Sequence, residues 1–221
     1  MKSLVILLSL AFTSCFAKNQ EVQVISNGDP ILEKVEQKAT KGLSKAVFAS
    51  GCFWCVEAVF ESVTGVGEVI SGYAGGDAKT ANYRDVSAGR TKHAEAVEVY
   101  YEPEVISYHT LLEVFFGSHD PTTLNRQGPD AGTQYRSTIF YQNEEELRQA
   151  KAYIDQLETD NVFAQEITTT LEPLEKFYPA EEYHQDFEAR NPNDSYVRSV
   201  SLPRLKRFQK QYPQLLKQSK H

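Results

Sequence analysis

Segments with strand-like and helix-like patterns alternate along most of this chain, and their order limits the folds that it can adopt. Short apolar or alternating runs that predict strands occupy residues 45–50, 66–73, 93–102, 137–141 and 166–171. Apolar positions in helical spacing occupy residues 55–62, 106–117 and 143–159. This order predicts one sheet covered by helices, in an α+β or α/β sandwich. A chain of 221 residues is long enough for one sizeable core, so we expect a single domain with tails.

The first 17 residues have the pattern of an export signal. Lys2 precedes an apolar run over residues 4–12 that is too short to span a bilayer, and small residues precede Lys18. We therefore expect the mature protein in the bacterial periplasm or cell envelope. Two alternatives stay open. The run Thr13-Ser14-Cys15 resembles a weak lipoprotein box, in which Cys15 would carry lipid, and the start could also remain as an uncleaved amphipathic segment.

After the signal we expect a polar linker over residues 18–44, a folded domain over residues 45–200 and a basic tail over residues 201–221. The tail holds six Lys and Arg residues and no acid. Because the net charge of the whole chain is −7, the rest of the chain carries a net charge of −13. This acidic body makes nucleic acid a poor partner. Leu202, Leu205 and Phe208 recur at helical spacing, so we expect the tail to dock as an amphipathic helix. Attachment to a membrane or an anionic partner through its bases is the alternative.

The segment "GCFWCVE" lies where the first strand pattern meets the first helix pattern. Cleavage after Ala17 would leave its two cysteines, Cys52 and Cys55, as the cysteines of the mature chain. A structural disulfide, two ligands of a zinc site and a reactive thiol pair all fit this spacing. Position favours the reactive pair, because backbone N–H groups at a helix start stabilise a thiolate on Cys52, and Cys55 lies within its reach.

Two further features suggest a site. Alternation in "HAEAVEVYYEP" puts Glu95 on the same side as Val97 and Val99, so its carboxyl is expected on the apolar side of a strand. Residues 117–136 form a loop of roughly twenty residues, a length that is usually functional or disordered. The turn formers in this loop favour a fixed path over disorder.

Several blocks of the sequence together resemble the type A peptide-methionine sulfoxide reductases. The blocks run from about residue 45 to about residue 191 and include "GCFWCVEAVF", "SGYAGG", "NYRDVSAGRTKHAEAVEVYYEP", "FFGSHDPTTLNRQGPDAGTQYRS" and "FYPAEEYHQDF". The resemblance implies an α+β, ferredoxin-like two-layer sandwich, in which helices cover a mixed sheet and long loops are functional. It also implies no metal or organic cofactor, but an external dithiol reductant such as a thioredoxin-like protein.

The resemblance implies a role for each of several residues. Cys52 would be the nucleophile and Glu95 the buried acid, while Tyr83 and Tyr135 would bind the sulfoxide oxygen. Substrate contacts would come from Phe53 and Trp54 around the methyl group and from Asp130 in the pocket wall. Without the family, simple core packing would be the commoner role for the two aromatics. His184, in "EEYHQDF", could help to position or protonate the substrate, and a structural histidine on the solvent side is the alternative.

The implied cycle begins with attack of Cys52 on the sulfoxide sulfur and leaves a sulfenic acid on Cys52. Relatives often carry resolving cysteines near the C-terminus, whereas "SYVRSVSLPRLKRF" has none, so Cys55 is the internal candidate. Direct attack of the reductant on the sulfenic acid is the alternative. Lys92 stands where relatives usually have glycine and is expected to affect pocket entry. Two rival functions stay open: a general thiol–disulfide oxidoreductase, and a non-catalytic binding module whose cysteines form a clip.

Overall fold

The computed structural model describes residues 42–218, so the predicted export signal and nearly all of the predicted linker lie outside the described residues. The strands are β1 Ser44–Ser50, β2 Val66–Ala74, β3 Ala94–Tyr101, β4 Arg126–Gln127, β5 Asp130–Ala131, β6 Ser137–Tyr141, β7 Thr170–Pro173 and β8 Phe177–Pro179. The α-helices are α1 Phe53–Glu61, α2 Tyr83–Ser87, α3 Tyr108–Ser118, α4 Glu144–Thr159, α5 Phe187–Arg190 and α6 Leu202–Gln211. No helix in this described part is long and apolar enough to cross a bilayer.

Six strands form the main sheet in the order β7-β6-β1-β3-β2-β8. Neighbours are antiparallel except β6 and β7, which run parallel, so the sheet is mixed. Along the chain β1, α1, β2, β3, α3 and β6 give the order βαββαβ of a ferredoxin-like motif, with the short helix α2 between β2 and β3. The predicted α+β class is confirmed, and the ferredoxin-like assignment stays a prediction.

The main core lies between the sheet and helices α1 and α3. Phe48 of β1 stacks on Phe60 of α1 at 5.1 Å and on Phe115 of α3 at 5.3 Å between ring centroids. Val97 and Val99 of β3 belong to the same core, whereas the alternate residues of these strands form a smaller cluster on the other face. Glu95 is two residues from Val97 and only 1% exposed, so the strand carries a carboxyl on its helix-covered side, as the alternation predicts.

One strand differs from its predicted range. We expect a strand over residues 166–171, but β7 covers Thr170–Pro173. The reason is its pairing with β6, which begins at Thr138 opposite Thr170. Just before β7, Thr168 donates from its backbone N–H to the carbonyl of Pro121 at 2.8 Å, and this bond takes the chain towards the long loop instead of along the sheet.

The long loop and the tail both follow fixed paths. Residues 117–136 contain the small hairpin of β4 and β5 and a 3₁₀ turn at Thr133–Tyr135. The tail forms α6, which packs on α1 and α3 and buries Phe208, as its apolar spacing predicts. The basic composition of the tail suggests that all its bases are solvated. Three of them are exposed, Lys206, Arg207 and Lys210, but Arg204 is only 5% exposed and points inward.

Candidate active site

The site begins at a sharp turn between β1 and α1. Gly51 has a φ of +94°, a conformation that favours glycine, and a Cβ built on it would lie 2.6 Å from Cβ of Gln127. The turn makes Cys52 the residue that caps α1, and its carbonyl accepts from the N–H groups of Cys55 and Val56. Glycine at position 51 thus allows the turn that places Cys52 at the start of α1.

Cys52 and Cys55 are both free thiols, 7% and 2% exposed, and they hydrogen-bond to each other, so they titrate as a pair. Burial raises the pKa of Cys52 well above its ordinary value. The hydrogen bond from Cys52, reinforced by the charge of Arg204, lowers the pKa of Cys55 to about 6. The two pKa values are shifted in opposite directions, which favours ionisation of Cys55, whereas the helix start predicts a thiolate on Cys52.

The main physical cause is the burial of Cys52, and the start of the helix also holds a second acid. Cys52 makes no side-chain capping bond, and the N–H of Phe53, the first helical residue, donates to Oε2 of Glu95 at 3.1 Å. Burial raises the pKa of Glu95 to about 8, although the hydrogen bond from Phe53 by itself lowers this pKa. A neutral carboxylic acid at pH 7 thus lies beside the start of α1.

Two tyrosines face the same group of residues, one from the start of α2 and one from the 3₁₀ turn. Burial, followed by the negative charges of Glu95 and Cys52, raises the pKa of Tyr83 to about 12 and raises that of Tyr135 as well, with Asp130 contributing to both. Both phenols therefore remain hydrogen-bond donors at neutral pH. Tyr83 is held at the start of α2, where its backbone N–H donates to Oε1 of Glu181 at 3.0 Å.

Aromatic rings form one wall of the site. Phe53 is 1% exposed and Trp54 is half-buried, and Trp54 stacks on Phe187 with ring centroids 3.7 Å apart. Nε1 of Trp54 donates to Nδ1 of His184 at 3.1 Å, and the His184 ring lies 4.3 Å from that of Tyr83. Burial lowers the pKa of His184 to about 4, so this histidine is a neutral acceptor that fixes Trp54.

Asp130 joins this cluster through a residue that the sequence does not single out. The hydroxyl of Tyr196 donates to Oδ2 of Asp130, and the Tyr196 hydroxyl oxygen itself lies 3.9 Å from Sγ of Cys55. Its ring also meets Trp54 edge-on at 5.9 Å. Tyr196 precedes the tail helix and is far from the motif cysteines in sequence, so pattern alone has no signal for it.

Arg204 is the second residue missed. A signal for it does exist: Ser201, Arg204 and Phe208 are three and four residues apart, which places Arg204 on the buried stripe of α6. Lys92 is exposed and lines a polar groove with Gly76, apart from the thiol pair. Among residues 42–218 no cluster of three or more His, Cys, Asp or Glu side chains has an arrangement that could hold a metal ion.

The arrangement as a whole brings together every residue that the sequence predicts for the site. It consists of two thiols that share a proton, a neutral carboxylic acid, two phenol donors and an aromatic wall. Such a set can attack an electrophilic centre with a sulfur while protonating an oxygen bound to that centre.

Comparison with known proteins places the chain in a family. A family model described as peptide methionine sulfoxide reductase matches residues 44–216. The "Peptide methionine sulfoxide reductase MsrA 2" of Synechocystis sp. is 51% identical over 191 residues, which cover 86% of this chain and 89% of that protein. The "Peptide methionine sulfoxide reductase MsrA" of Deinococcus radiodurans is 48% identical over 168 residues, covering 76% and 82%.

Solved structures give the same result. The reduced form of Mxr1 from Saccharomyces cerevisiae has a TM-score of 0.66 and 34% identity, and the match covers 70% of this chain and 88% of that chain. Methionine sulfoxide reductase A of Corynebacterium diphtheriae has a TM-score of 0.63 and 32% identity, covering 71% and 79%. The chain therefore belongs to the peptide methionine sulfoxide reductase family.

Proposed function

We propose that this protein reduces the S epimer of methionine sulfoxide, free and in proteins, through a sulfenic acid on Cys52. Family membership supports the reduction of methionine sulfoxide, and S selectivity follows from the type A resemblance and from the use of one enzyme for each epimer. The observation that carries the mechanism is the buried, protonated Glu95 beside Cys52 at the start of α1.

In the first step a thiolate on Cys52 attacks the sulfoxide sulfur. The proton that Cys52 shares with Cys55 passes to Cys55, and Glu95 protonates the sulfoxide oxygen as the S–O bond breaks. The attack forms a bond between Cys52 and the sulfoxide sulfur, and the protonated oxygen leaves that sulfur as hydroxide. Hydroxide then attacks Sγ of Cys52, the bond between the two sulfurs breaks and methionine leaves, so Cys52 is oxidised by two electrons to the sulfenic acid. Tyr83 and Tyr135 donate to the oxygen while negative charge develops on it.

Substrate would be held by the aromatic wall. Trp54 offers its half-buried face to the methyl group, and His184 and Phe187 keep its ring in place. Phe53 is only 1% exposed, so it offers the substrate little surface to contact. Its contribution to the methyl site would be to pack behind the other rings of the wall. Asp130 closes the pocket through its bond to Tyr196.

In the second step the thiol of Cys55 condenses with the sulfenic acid to form a Cys52–Cys55 disulfide and water. Hydrogen-bonding contact between the two sulfurs supports this step, as does the lack of cysteine in the tail. An external dithiol, such as a thioredoxin-like protein, would then reduce the disulfide and become oxidised itself. We propose no role for a metal or organic cofactor in this cycle.

A single-turnover experiment tests the cycle. The reduced protein receives one equivalent of S-sulfoxide without reductant, and peptide mass spectrometry follows the cysteines. We expect one equivalent of methionine and a Cys52–Cys55 disulfide in the wild type, trapped sulfenic acid on Cys52 in Cys55→Ser, and no methionine in Cys52→Ser. The R epimer serves as the control substrate. Methionine formation in Cys52→Ser, or a wild type that keeps sulfenic acid beside free Cys55, would contradict the cycle.

We also propose export to the periplasm or cell envelope, from the signal pattern in residues 1–17. Mass spectrometry of the native N-terminus tests this proposal. A start at Lys18 supports cleavage, lipid on Cys15 supports the lipoprotein alternative, and an intact start at Met1 rejects both.

A further inference from the structure

Arg204 is a buried cation that meets the end of two secondary-structure elements. Its Nε donates to the carbonyl of Ser118 at 2.7 Å, at the C-terminal end of α3. Its Nη1 and Nη2 donate to the carbonyl and the hydroxyl of Ser50, at 2.9 and 3.0 Å. Ser50 is the last residue of β1, two positions before Cys52, so the guanidinium is hydrogen-bonded to the turn that carries the first thiol.

The charge of Arg204 lacks an obvious counter-charge. Within residues 42–218 its guanidinium forms no salt bridge with a carboxylate. A buried charge without compensation is costly, and carbonyl groups at a helix end compensate it in part. The groups on which its field acts include Cys55 and Cys52, and burial of the guanidinium keeps that field from being screened by water.

The remaining titratable groups around the thiol pair are acids and phenols. Those that face it or act on it from the surrounding elements are Glu95 of β3, Asp130 of β5, Tyr83 of α2, Tyr135 of the 3₁₀ turn and Tyr196 before α6. His119 borders Arg204, but burial and the charge of Arg204 lower its pKa to about 3, so it is neutral. Arg207 acts on Arg204 from the exposed side of the same helix.

We propose that Arg204 is a positioning residue that provides the counter-charge for the thiolate shared by Cys52 and Cys55. The proposal deepens the function proposed above, because it needs the thiol pair to react as an anion. Since the guanidinium acts on both sulfurs, the negative charge stays compensated when the proton moves between them. The tail helix therefore contributes to the chemistry although it carries no cysteine.

The same charge favours one direction of disulfide reduction. Cys52 is the more exposed residue of the pair, 7% against 2%, so we expect the incoming dithiol to attack Cys52 and to expel Cys55 as a thiolate. A thiol with a lower pKa leaves faster, and Arg204 stabilises this leaving thiolate. One new S–S bond to the reductant forms, the Cys52–Cys55 bond breaks, and the electron pair of that bond goes to Cys55.

Alkylation of the reduced protein tests the proposal without any sulfoxide. The rate of reaction with iodoacetamide is measured from pH 4 to pH 10 for wild type, Arg204→Met, Arg204→Lys and the exposed control Arg207→Met, and modified cysteines are identified by mass. In the wild type we expect an inflection near pH 6. Loss of the nearby positive charge is expected to move it up by about 1 to 3 pH units in Arg204→Met. Arg204→Lys should restore most of the shift, and Arg207→Met should match the wild type.

Two results would overturn the proposal. One is a wild-type alkylation profile in an Arg204→Met variant whose circular dichroism is native. The other is an Arg204→Lys profile as displaced as that of Arg204→Met, which would assign the effect to geometry instead of charge. Because no sulfoxide is present, either failure leaves the proposed reductase cycle untouched, and failure of that cycle would not alter these profiles.

A second measurement covers the case in which Arg204→Met does not fold. The Nε–H resonance of Arg204 in wild-type protein is followed by NMR through the same pH range, with Cys52→Ser/Cys55→Ser as the control. We expect the resonance to shift with the ionisation of the thiol pair and to lose that transition in the control. A wild-type resonance that does not shift when the thiol pair ionises would reject the proposal.

Discussion

Replacing Glu95 by glutamine removes a proton donor from the site while keeping the shape of the side chain. With a pKa of about 8, about ten carboxyls are protonated for each ionised one at pH 7, so the acid form is the working form. A positioned general acid contributes roughly 10²- to 10⁴-fold in rate. We expect Glu95→Gln to lower kcat for sulfoxide reduction by that factor, which corresponds to about 3 to 5 kcal/mol in the activation barrier.

The same substitution is expected to stabilise the fold at neutral pH. Burial raises the pKa of Glu95 from its ordinary 4.5 to about 8, so the folded state holds a proton that the unfolded chain releases. The free energy of unfolding therefore falls as pH rises from about 4.5 to about 8, by on the order of 3 kcal/mol at pH 7. Glutamine does not titrate and avoids this loss, so activity and stability should change in opposite directions.

Glu57 supplies a matched control. Its carboxyl is also buried, 2% exposed, and burial raises its pKa to about 9. Unlike Glu95, it does not bind the backbone at the start of α1, because its Oε1 accepts from the backbone N–H of Asp186 at 3.1 Å. Glu57→Gln should gain a similar stability at pH 7 and keep its activity.

The assays are urea unfolding at pH 5, 7 and 9, and methionine release from an S-sulfoxide peptide with dithiothreitol. In wild type, kcat should decline as pH rises through about 8, because the acid form of Glu95 disappears. Glu95→Gln turnover within tenfold of wild type, or a wild-type rate without this decline, would refute the acid role. A stability gain in Glu57→Gln but not in Glu95→Gln would refute the buried, neutral state of Glu95.

Three further outcomes follow from the site and the tail. Tyr83→Phe and Tyr135→Phe should each lower kcat by about tenfold, since each removes one donor of the order of 1.4 kcal/mol, with KM changed less; unchanged kcat in both would remove them from the oxyanion role. Trp54→Ala should raise KM for a sulfoxide peptide more than it lowers kcat, and a change in kcat alone would argue against substrate contact. Phe208→Ala should destabilise the protein by about 3 to 5 kcal/mol in urea unfolding, because Phe208 is 1% exposed, whereas exposed Lys206→Ala should cost under about 0.5 kcal/mol; a similar loss in both would contradict the docking of α6.

The local patterns of this chain determine its elements because each pattern matches the geometry of one element. Alternation alone places Glu95 on the apolar side of β3, and helical spacing alone predicts that the tail docks. The motif resemblance predicts the site residues, and the structure brings their side chains together, while their catalytic roles stay predictions. The strand predicted over residues 166–171 is wrong for residues 166–169, because hydrogen bonds from Thr168 to the distant Pro121 decide the path of that segment.

Which thiol carries the charge is decided by tertiary structure. Local position predicts the anion on Cys52 at the helix start, yet folding buries this thiol and brings Glu95 of β3 to the N–H of Phe53. Folding also brings in Arg204 of the tail, whose charge lowers the pKa of Cys55. Tyr196 likewise reaches Cys55 across 141 residues of sequence. Sequence fixes which groups are available and on which face of an element they lie. The electrostatic state of a buried group depends on partners far away in the chain, and only folding brings those partners into contact.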